Sequence, residues 1–309
     1  MTSADWIIRD IGAPRTLVLL PGWATDARIF ASLNIAYNII TPKVRSSAAS
    51  PEWNEGEGAS LLSRESRITR LPQTTGTRRY YKPDSLASLL QELATPVTLC
   101  GWSLGGFAAA DFARQYPELV SKLILIGVRR RFPPELIAAR RQALREDRPR
   151  CLSDFYRQCF LPAQRSDFRR FRAELELAYL QDFSTDDLEA GLDYLASVEL
   201  SAEALSACPT VLVHGEQDVI APISEARELA AVRPPIPDPF PPRGKGVERN
   251  VVKSTPSPLA PRGERGWGIG GRQPERAESG NTNITLHVLP NAGHAAFLHP
   301  EFQTILHDA

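Results

Sequence analysis

The fold is decided by the stretch at residues 97–116, which reads VTLCGWSLGGFAAADFARQY. Its first four residues are typical of a buried strand, and its second half is typical of a helix that stops before Pro117. Between the two lies a Gly-x-Ser-x-Gly pattern at positions 101–105. A serine at so sharp a turn requires neighbours that have almost no side chain, and Gly101 and Gly105 meet that requirement. The stretch therefore predicts a strand, a serine presented at a sharp turn, and a helix.

Further strands are expected on both sides of this turn. Short apolar runs, mostly β-branched, lie at Thr16–Leu20, Ala36–Ile40, Val97–Cys100, Lys122–Gly127, Thr210–Val213 and Thr285–Leu289. Several of them lack the polar alternation of a half-exposed strand, which favours a buried and mainly parallel sheet. Helical patterns lie between the runs, so the chain is predicted to be an α/β protein whose central sheet is flanked by helices.

Three stretches depart from this alternation. Residues 128–205 carry helical patterns and no good strand, which predicts a helical cap over one end of the sheet. Residues 233–282 contain ten prolines and eight glycines in fifty residues, and residues 44–80 are Ser-rich and lack periodicity. Such compositions are typical of disordered segments, so both stretches are predicted to be insertions. The α/β core is then expected at 1–127 and 206–309.

A serine hydroxyl is a poor nucleophile at neutral pH, so Ser103 needs a base, and the base needs a carboxylate that orients it. In a sheet of this kind the acid follows one late strand and the histidine follows the next. Asp218 comes just after the run that ends at Val213, and His294 comes just after the run that ends near Leu289. Ser103, Asp218 and His294 are the predicted catalytic residues.

Other interpretations of these positions stay open. Asp218 is also typical of a turn or a helix cap, and Asp238 and Glu216 are lesser candidates for the acid. His299 is the rival base by position, whereas the histidines at 214, 287 and 307 are expected to be structural.

Acyl transfer also needs two backbone N–H groups directed at the developing negative charge. One is expected from Leu104, the residue after the serine, and the other from Trp23, in the turn after the first long strand. The indoles of Trp23 and Trp102 are predicted to flank Ser103 and to line an apolar slot for an acyl chain, although core packing would suit either indole equally well.

Four motifs resemble the α/β-hydrolase superfamily: PGW at 21–23, GWSLGG at 101–106, HGEQDVIAP at 214–222 and NAGHAAFLHP at 291–300. Within that superfamily, the paired tryptophans and the segment LEAGLDYLASVEL at 188–200 look most like the pimeloyl-[acyl-carrier protein] methyl ester carboxylesterases of biotin synthesis. The resemblance implies hydrolysis of the methyl ester of a pimeloyl chain held by an acyl carrier protein. It implies no metal and no organic cofactor.

The predicted cap is rich in arginine. Thirteen arginines and five acids lie between residues 129 and 172, in a protein whose formal net charge is zero. Acyl carrier proteins are acidic and carry a phosphopantetheine arm, and a guanidinium group suits both carboxylate and phosphate. The cap residues predicted to bind substrate or carrier are Phe160, Arg141, Arg145, Arg165, Arg169 and Arg172. The alternatives are a solvated charged face or a nucleic-acid patch for the arginines, and core packing for Phe160.

Composition narrows the choice of partner and location. The 309 residues are 42% hydrophobic and hold 36 basic and 36 acidic side chains, without the basic excess that nucleic-acid or membrane binding by charge requires. Four cysteines without a CxxC pair argue against a zinc site or a disulfide framework. The opening MTSADWIIRDIGAPRT lacks an apolar run of signal-peptide length, so we expect a cytoplasmic location. The protein is also expected to be a monomer.

Two competing functions remain. The first is a general short-acyl carboxylesterase or lactonase of the same fold, acting on small-molecule esters. The second is a catalytically silent ligand-binding or scaffold protein in which the insertions mediate contacts.

Overall fold

A computed structural model of the chain describes residues 5–43, 82–93, 95–160, 162–201, 205–231 and 283–308. The two predicted insertions, 44–80 and 233–282, lie outside the described residues. Within the described ranges, no helix combines the length and the apolar character needed to cross a membrane.

Seven strands form one sheet in the order β1-β3-β2-β4-β5-β6-β7. They are β1 (Trp6–Arg9), β2 (Thr16–Leu20), β3 (Asn38–Pro42), β4 (Val97–Trp102), β5 (Val120–Ile126), β6 (Thr210–Gly215) and β7 (Ile284–Leu289). β1 pairs antiparallel with β3, and every other neighbouring pair is parallel. The expected α/β class, with a mainly parallel sheet, is confirmed.

The helices are α1 (Pro83–Leu93), α2 (Leu104–Gln115), α3 (Pro134–Glu146), α4 (Arg148–Phe160), α5 (Arg165–Phe171), α6 (Leu177–Asp182), α7 (Thr185–Ser197), α8 (Ile223–Ala230) and α9 (Pro300–Asp308). A π-helical turn at Arg172–Glu176 joins α5 to α6. Residues 134–197, between β5 and β6, are called the helical segment below. Its role as a cap stays a prediction.

The centre of the sheet is buried because its strands are apolar on both faces. All six residues of β4 are buried, and so are the last four of β5, Leu123–Ile126. Small residues let α2 approach this surface closely, since Ala108, Ala109 and Ala110 are all buried. A strand that is covered on both sides in this way reads as a continuous apolar run.

The parallel strands all present their carboxyl ends at one edge of the sheet. Trp23 lies three residues beyond the end of β2, and Ser103 directly follows β4. Asp218 lies just beyond β6, and His294 lies just beyond β7. This edge is where α/β sheets usually hold their ligands, and it collects every residue of the predicted catalytic set.

Two strands differ from the expectation. β1 was not predicted, because it has only four residues and lies at the edge of the sheet, where Ile7 is 50% exposed. The run expected at Ala36–Ile40 begins two residues later, at Asn38, and continues to Pro42. Tyr37 stays out of the strand and is fully buried, with its hydroxyl donating to the backbone oxygen of Leu306 at 2.7 Å.

Candidate active site

Ser103 occupies a strained turn between β4 and α2. Its backbone has φ 53° and ψ −117°, in the left-handed half of the map that non-glycine residues rarely enter. The strain is accommodated by close backbone approaches on both sides. A Cβ atom at Gly101 would lie 2.2 Å from the backbone oxygen of Gly105, and one at Gly105 would lie 2.2 Å from that of Leu20. Only glycine fits at these two positions, as the spacing predicted.

Asp218 and His294 are in direct contact, although 76 residues separate them in the chain. Nδ1 of His294 lies 2.8 Å from Oδ2 of Asp218, and both side chains are fully buried. The second carboxylate oxygen, Oδ1, accepts from the backbone N–H groups of Ile220 at 2.8 Å and Ala221 at 2.9 Å. The carboxylate is therefore fixed in rotation and accepts a hydrogen bond from the Nδ1 N–H of the imidazole.

The surroundings keep Asp218 ionised. Burial alone would raise the pKa of its carboxyl, but the electrostatic interaction and hydrogen bond with His294, the electrostatic interaction with His214 and the hydrogen bond from the Ala221 N–H hold the pKa below its usual value. Burial also lowers the pKa of His214, whose Nε2 lies 3.6 Å from Oδ2 of Asp218 and donates to the Ala221 oxygen at 2.6 Å. His214 is a neutral structural neighbour, as expected.

The other ring nitrogen of His294 is available for chemistry. Within the described part of the chain, Nε2 is buried and has no hydrogen-bond partner. The backbone N–H of Ser103 donates to the Ile126 oxygen at 2.8 Å, and the next residue, Gly127, lies against the imidazole, so that a Cβ there would be 3.0 Å from Nδ1. Ser103 and His294 thus adjoin consecutive residues, Ile126 and Gly127, at the end of β5.

The two predicted oxyanion donors lie at the same edge of the sheet. Leu104 is the first residue of α2, where a backbone N–H has no acceptor within the helix. Trp23 lies in the turn after β2, and its indole Nε1 donates to the Leu188 oxygen on α7 at 2.9 Å. The next residue, Ala24, has φ 57° and accepts from the Tyr156 hydroxyl at 2.7 Å. The helical segment therefore holds this turn at two points.

The aromatic residues predicted to line an acyl slot are all deeply buried. Trp23 is 2% exposed and packs edge-on against Phe155, with ring centroids 4.8 Å apart. Trp102 is 1% exposed and contacts the rings of His294 and Phe297. Phe160 is 1% exposed and contacts other aromatic rings of the helical segment. Their role in substrate binding stays a prediction.

The five predicted arginines divide into two groups. Arg141 pairs with Asp193, Arg145 with Glu189, and Arg172 with Glu176, so these three are neutralised within the helical segment. Arg165 and Arg169 are exposed on one side of α5, and neither forms an ion pair within the described ranges. Together with Pro162 and Phe168, these two line a surface depression.

Sequence reasoning missed Gln164, which precedes α5. It is 6% exposed, and its carboxamide contacts the backbone on both sides of His294. A glutamine in a connection between two helices carries no sequence signal, because its partners are set by tertiary packing alone.

The described residues contain no cluster of three or more His, Cys, Asp or Glu side chains suited to a metal ion. The four cysteines are buried and free. Burial raises the pKa of the Cys159 thiol well above its usual value, which makes it a poor nucleophile.

Comparison with known proteins identifies relatives over most of the chain. Residues 17–303 match the model of the alpha/beta hydrolase family. A pimeloyl-[acyl-carrier protein] methyl ester esterase of Aromatoleum aromaticum is 32% identical over 164 residues, which cover 48% of this chain and 65% of that protein. The chain therefore spans just under two thirds of that relative's length. An esterase of the same name from Nitrosospira multiformis is 26% identical over 72% of this chain and 83% of that protein.

Solved structures agree on the fold. An esterase of Exiguobacterium antarcticum superposes with a TM-score of 0.62 at 18% identity, over 98% of this chain and 94% of that one. A bromoperoxidase of Bacillus anthracis reaches a TM-score of 0.62 at 16% identity, over 97% and 92%. At such identities the likeness concerns the fold alone. The family model, which covers nearly the whole chain, confirms the resemblance seen in the motifs: this chain belongs to the alpha/beta hydrolase family.

Proposed function

We propose that this protein is a carboxylic ester hydrolase that works through Ser103, His294 and Asp218. The observation that carries the proposal is the buried hydrogen bond between His294 Nδ1 and Asp218 Oδ2, which leaves Nε2 without a partner among the described residues. An ionised Asp218 holds the proton on Nδ1, so Nε2 carries the lone pair that a general base requires.

The reaction follows from this arrangement. His294 Nε2 takes the hydroxyl proton of Ser103 as Oγ attacks the ester carbonyl carbon. The tetrahedral intermediate collapses when Nε2 returns the proton to the leaving alcohol oxygen, which departs as the alcohol. Water then attacks the acyl-serine with the same base, and the carboxylic acid leaves with Ser103 restored. The imidazolium formed in each half is stabilised by the carboxylate of Asp218.

Leu104 and Trp23 are proposed to supply the two N–H groups that stabilise the oxyanion. Their placement supports the proposal, because Leu104 directly follows Ser103 and Trp23 follows β2, the strand that pairs with β4. Each lost donor of this type typically costs about 10²- to 10³-fold in rate.

The proposed substrate is the methyl ester of a pimeloyl chain carried by an acyl carrier protein, in biotin synthesis. The names of the curated relatives support it, and so does the surface of α5. Arg165 and Arg169 form a cationic pair beside the apolar Phe168 and Pro162. A pair of guanidinium groups that no carboxylate among the described residues neutralises suits an acidic partner that carries a phosphate.

This division of the arginines sharpens the choice of variants. Arg141, Arg145 and Arg172 already bind carboxylates of their own chain, so reversing their charge would disturb the helical segment itself. Arg165 and Arg169 are the better test of carrier docking. A double Arg9→Glu/Arg227→Glu variant makes the same change of net charge at two exposed arginines of β1 and α8, neither of which has an ion pair among the described residues, and serves as the control.

The test is release of methanol from methyl-pimeloyl acyl carrier protein, followed alongside hydrolysis of a free p-nitrophenyl ester. Ser103→Ala should abolish both reactions. Arg165→Glu/Arg169→Glu should raise KM for the carrier-linked ester about tenfold or more, with hydrolysis of the free ester within about twofold of the parent. The control pair should leave both nearly unchanged.

Two outcomes would contradict the proposal in different ways. If the parent cleaves free esters but not the carrier-linked one, the specific substrate is wrong and a general short-acyl esterase or lactonase remains. If the parent cleaves neither and no serine-directed phosphonate labels Ser103, the catalytic role itself is wrong and a silent binding protein remains.

A further inference from the structure

Gln164 binds both neighbours of His294 with its side chain. Its Oε1 accepts from the backbone N–H of Gly293 at 3.0 Å, and its Nε2 donates to the backbone oxygen of Ala295 at 3.0 Å. The carboxamide thus bridges the Ala292–Gly293 and Ala295–Ala296 peptide groups, which lie one peptide beyond His294 on each side. Only 6% of Gln164 is exposed, so water cannot substitute for either hydrogen bond.

The end of α4 contacts the same loop. The backbone N–H of Ala295 donates to the Cys159 oxygen at 3.0 Å. A Cβ atom at Gly293 would lie 3.0 Å from that same oxygen and 3.4 Å from the Phe160 oxygen, so the loop fits closely against the helix end. The histidine loop therefore packs against Cys159 and Phe160 at the end of α4 and against Gln164.

Gln164 is itself fixed in position. Its backbone N–H donates to the Phe160 oxygen at 2.7 Å, and its backbone oxygen accepts from Phe168 at 3.0 Å, which connects α4 to α5. The backbone N–H and oxygen of Gln164 are thus hydrogen-bonded to α4 and α5, which fixes the position from which its side chain extends to the loop.

We propose that Gln164 is a positioning residue that sets the orientation of His294, and this inference rests on the proposed function. The carboxamide of Gln164 is complementary to the groups that the loop presents. The loop presents one donor, Gly293 N–H, and one acceptor, Ala295 C=O, and a carboxamide satisfies both at once. An ionised glutamate keeps only the acceptor, and methionine keeps neither. Because the two hydrogen bonds hold the loop one residue before and one residue after His294, they limit how the His294 backbone can turn and so the direction in which its imidazole extends.

The first test is Gln164→Met, which preserves side-chain length and removes both hydrogen bonds. Small displacements of a catalytic group are costly, so kcat for a p-nitrophenyl ester should fall by about 10- to 100-fold while KM changes by less than about threefold. Gln158→Met is the matched control, because Gln158 lies exposed on α4 and contacts Arg140 instead. A Gln164→Met protein that remains folded at the assay temperature and keeps the parent kcat overturns the inference.

A second variant keeps the inference testable where Gln164→Met does not fold. In Gln164→Glu the protonated carboxyl group can both accept from Gly293 and donate to Ala295, whereas the ionised form cannot donate. The ratio of variant to parent kcat should therefore rise as pH falls, and taking the ratio cancels the titration that both enzymes share. A ratio that is independent of pH overturns the inference.

Proton NMR separates this inference from the proposed function. The Nδ1 proton that His294 shares with Asp218 gives a downfield signal that does not depend on turnover. The signal should shift or broaden in Gln164→Met and stay unchanged in Gln158→Met. A parent enzyme that hydrolyses no ester would contradict the proposed function alone, whereas an unchanged signal in folded Gln164→Met would contradict the positioning role alone.

Discussion

The indole Nε1 of Trp102 donates a hydrogen bond to the backbone oxygen of His294 at 2.8 Å, although 192 residues separate the two in the chain. Trp102 directly precedes Ser103 and ends β4, so one side chain joins the serine turn to the histidine loop. The Trp102 ring also packs edge-on against Phe297, with centroids 4.9 Å apart. Trp102 thus links the proposed nucleophile to the proposed base, although it acts as neither.

Replacing Trp102 by Phe should weaken both stability and catalysis. The change leaves the His294 oxygen without its donor in a buried site, which typically costs about 1–3 kcal/mol of unfolding free energy. The ester kcat should fall as the histidine loop gains freedom. Trp6→Phe is the control, because the Trp6 indole also loses one hydrogen bond, to Ser85 Oγ at 3.0 Å, but lies on β1. Urea unfolding measures the stability of both variants, and ester hydrolysis measures kcat, which should fall more in Trp102→Phe than in Trp6→Phe. Equal kcat losses in the two variants would contradict this account.

Asp218→Asn should abolish nearly all activity with little loss of structure. The backbone N–H groups of Ile220 and Ala221 require an acceptor, so the amide oxygen of the asparagine would face them. Its NH₂ group would then face His294 Nδ1 and donate to it, which moves the imidazole proton to Nε2. A protonated Nε2 on a neutral ring cannot act as base, and an analogous change in a serine protease costs about 10⁴-fold. Steady-state kinetics at neutral pH check this, and a loss below about tenfold would be inconsistent with an orienting role.

Gly105→Ala should prevent the native turn from forming. The added Cβ would lie 2.2 Å from the Leu20 oxygen, a contact with rigid backbone of β2 that cannot be relieved by a side-chain movement. Gly12→Ala is a useful comparison, since its Cβ meets nothing within 4 Å and the substitution suffers only from φ +70°. We expect an unfolded or inactive Gly105→Ala protein and a mildly destabilised, active Gly12→Ala protein, as measured by circular dichroism and ester hydrolysis. Equal thermal stability of the two variants would show that the close approach is not required.

His214 should make the fold sensitive to mild acid. Burial lowers its pKa below the usual 6.5, so in the interval just below that value the unfolded chain binds a proton that the folded protein does not. Stability must then decrease as pH falls through this interval, by at most about 1.4 kcal/mol per pH unit for one such group. The Asp218 carboxyl also makes stability decrease as pH falls, but only below its usual pKa of 3.8, which lies outside this range.

The variant that checks this is His214→Asn, which has no titrating ring and whose amide can still donate to Ala221. Urea unfolding of both proteins between about pH 7.5 and pH 5 should show the parent losing stability relative to the variant as pH falls. Parallel stability curves across the range would mean that His214 is protonated equally in the folded and unfolded chain.

The sequence predicted the parts of this site that depend on local pattern and chain order. The glycine spacing around Ser103 reflects backbone contacts within the turn and with the end of β2, which accompany this turn wherever it forms. Asp218 and His294 follow consecutive strands of a parallel sheet, so topology alone brings them to one edge, where they are indeed hydrogen-bonded. These inferences needed no knowledge of side-chain packing.

The remaining features depend on packing between segments that are distant in the chain. Arg141 and Arg165 both lie in arginine-rich helices, but among the described residues only Arg141 of the two meets a carboxylate, because α3 lies against α7. Gln164 acquires its importance from a loop 129 residues away. β1 is too short and too exposed for its composition to predict a strand, and its position is set by pairing with β3. Such relationships appear only once the helices and strands are assembled.

The central claim is that Ser103 attacks an ester with His294 as its base, and the most direct measurement is the mass of the intact protein during turnover. The protein is mixed with a p-nitrophenyl ester, quenched within milliseconds to seconds, and digested to locate any acyl group. We predict an acyl adduct on Ser103 that forms with the release of p-nitrophenol and then decays, and no adduct in Ser103→Ala. An adduct on another residue, or turnover by Ser103→Ala at the parent rate, would contradict the account.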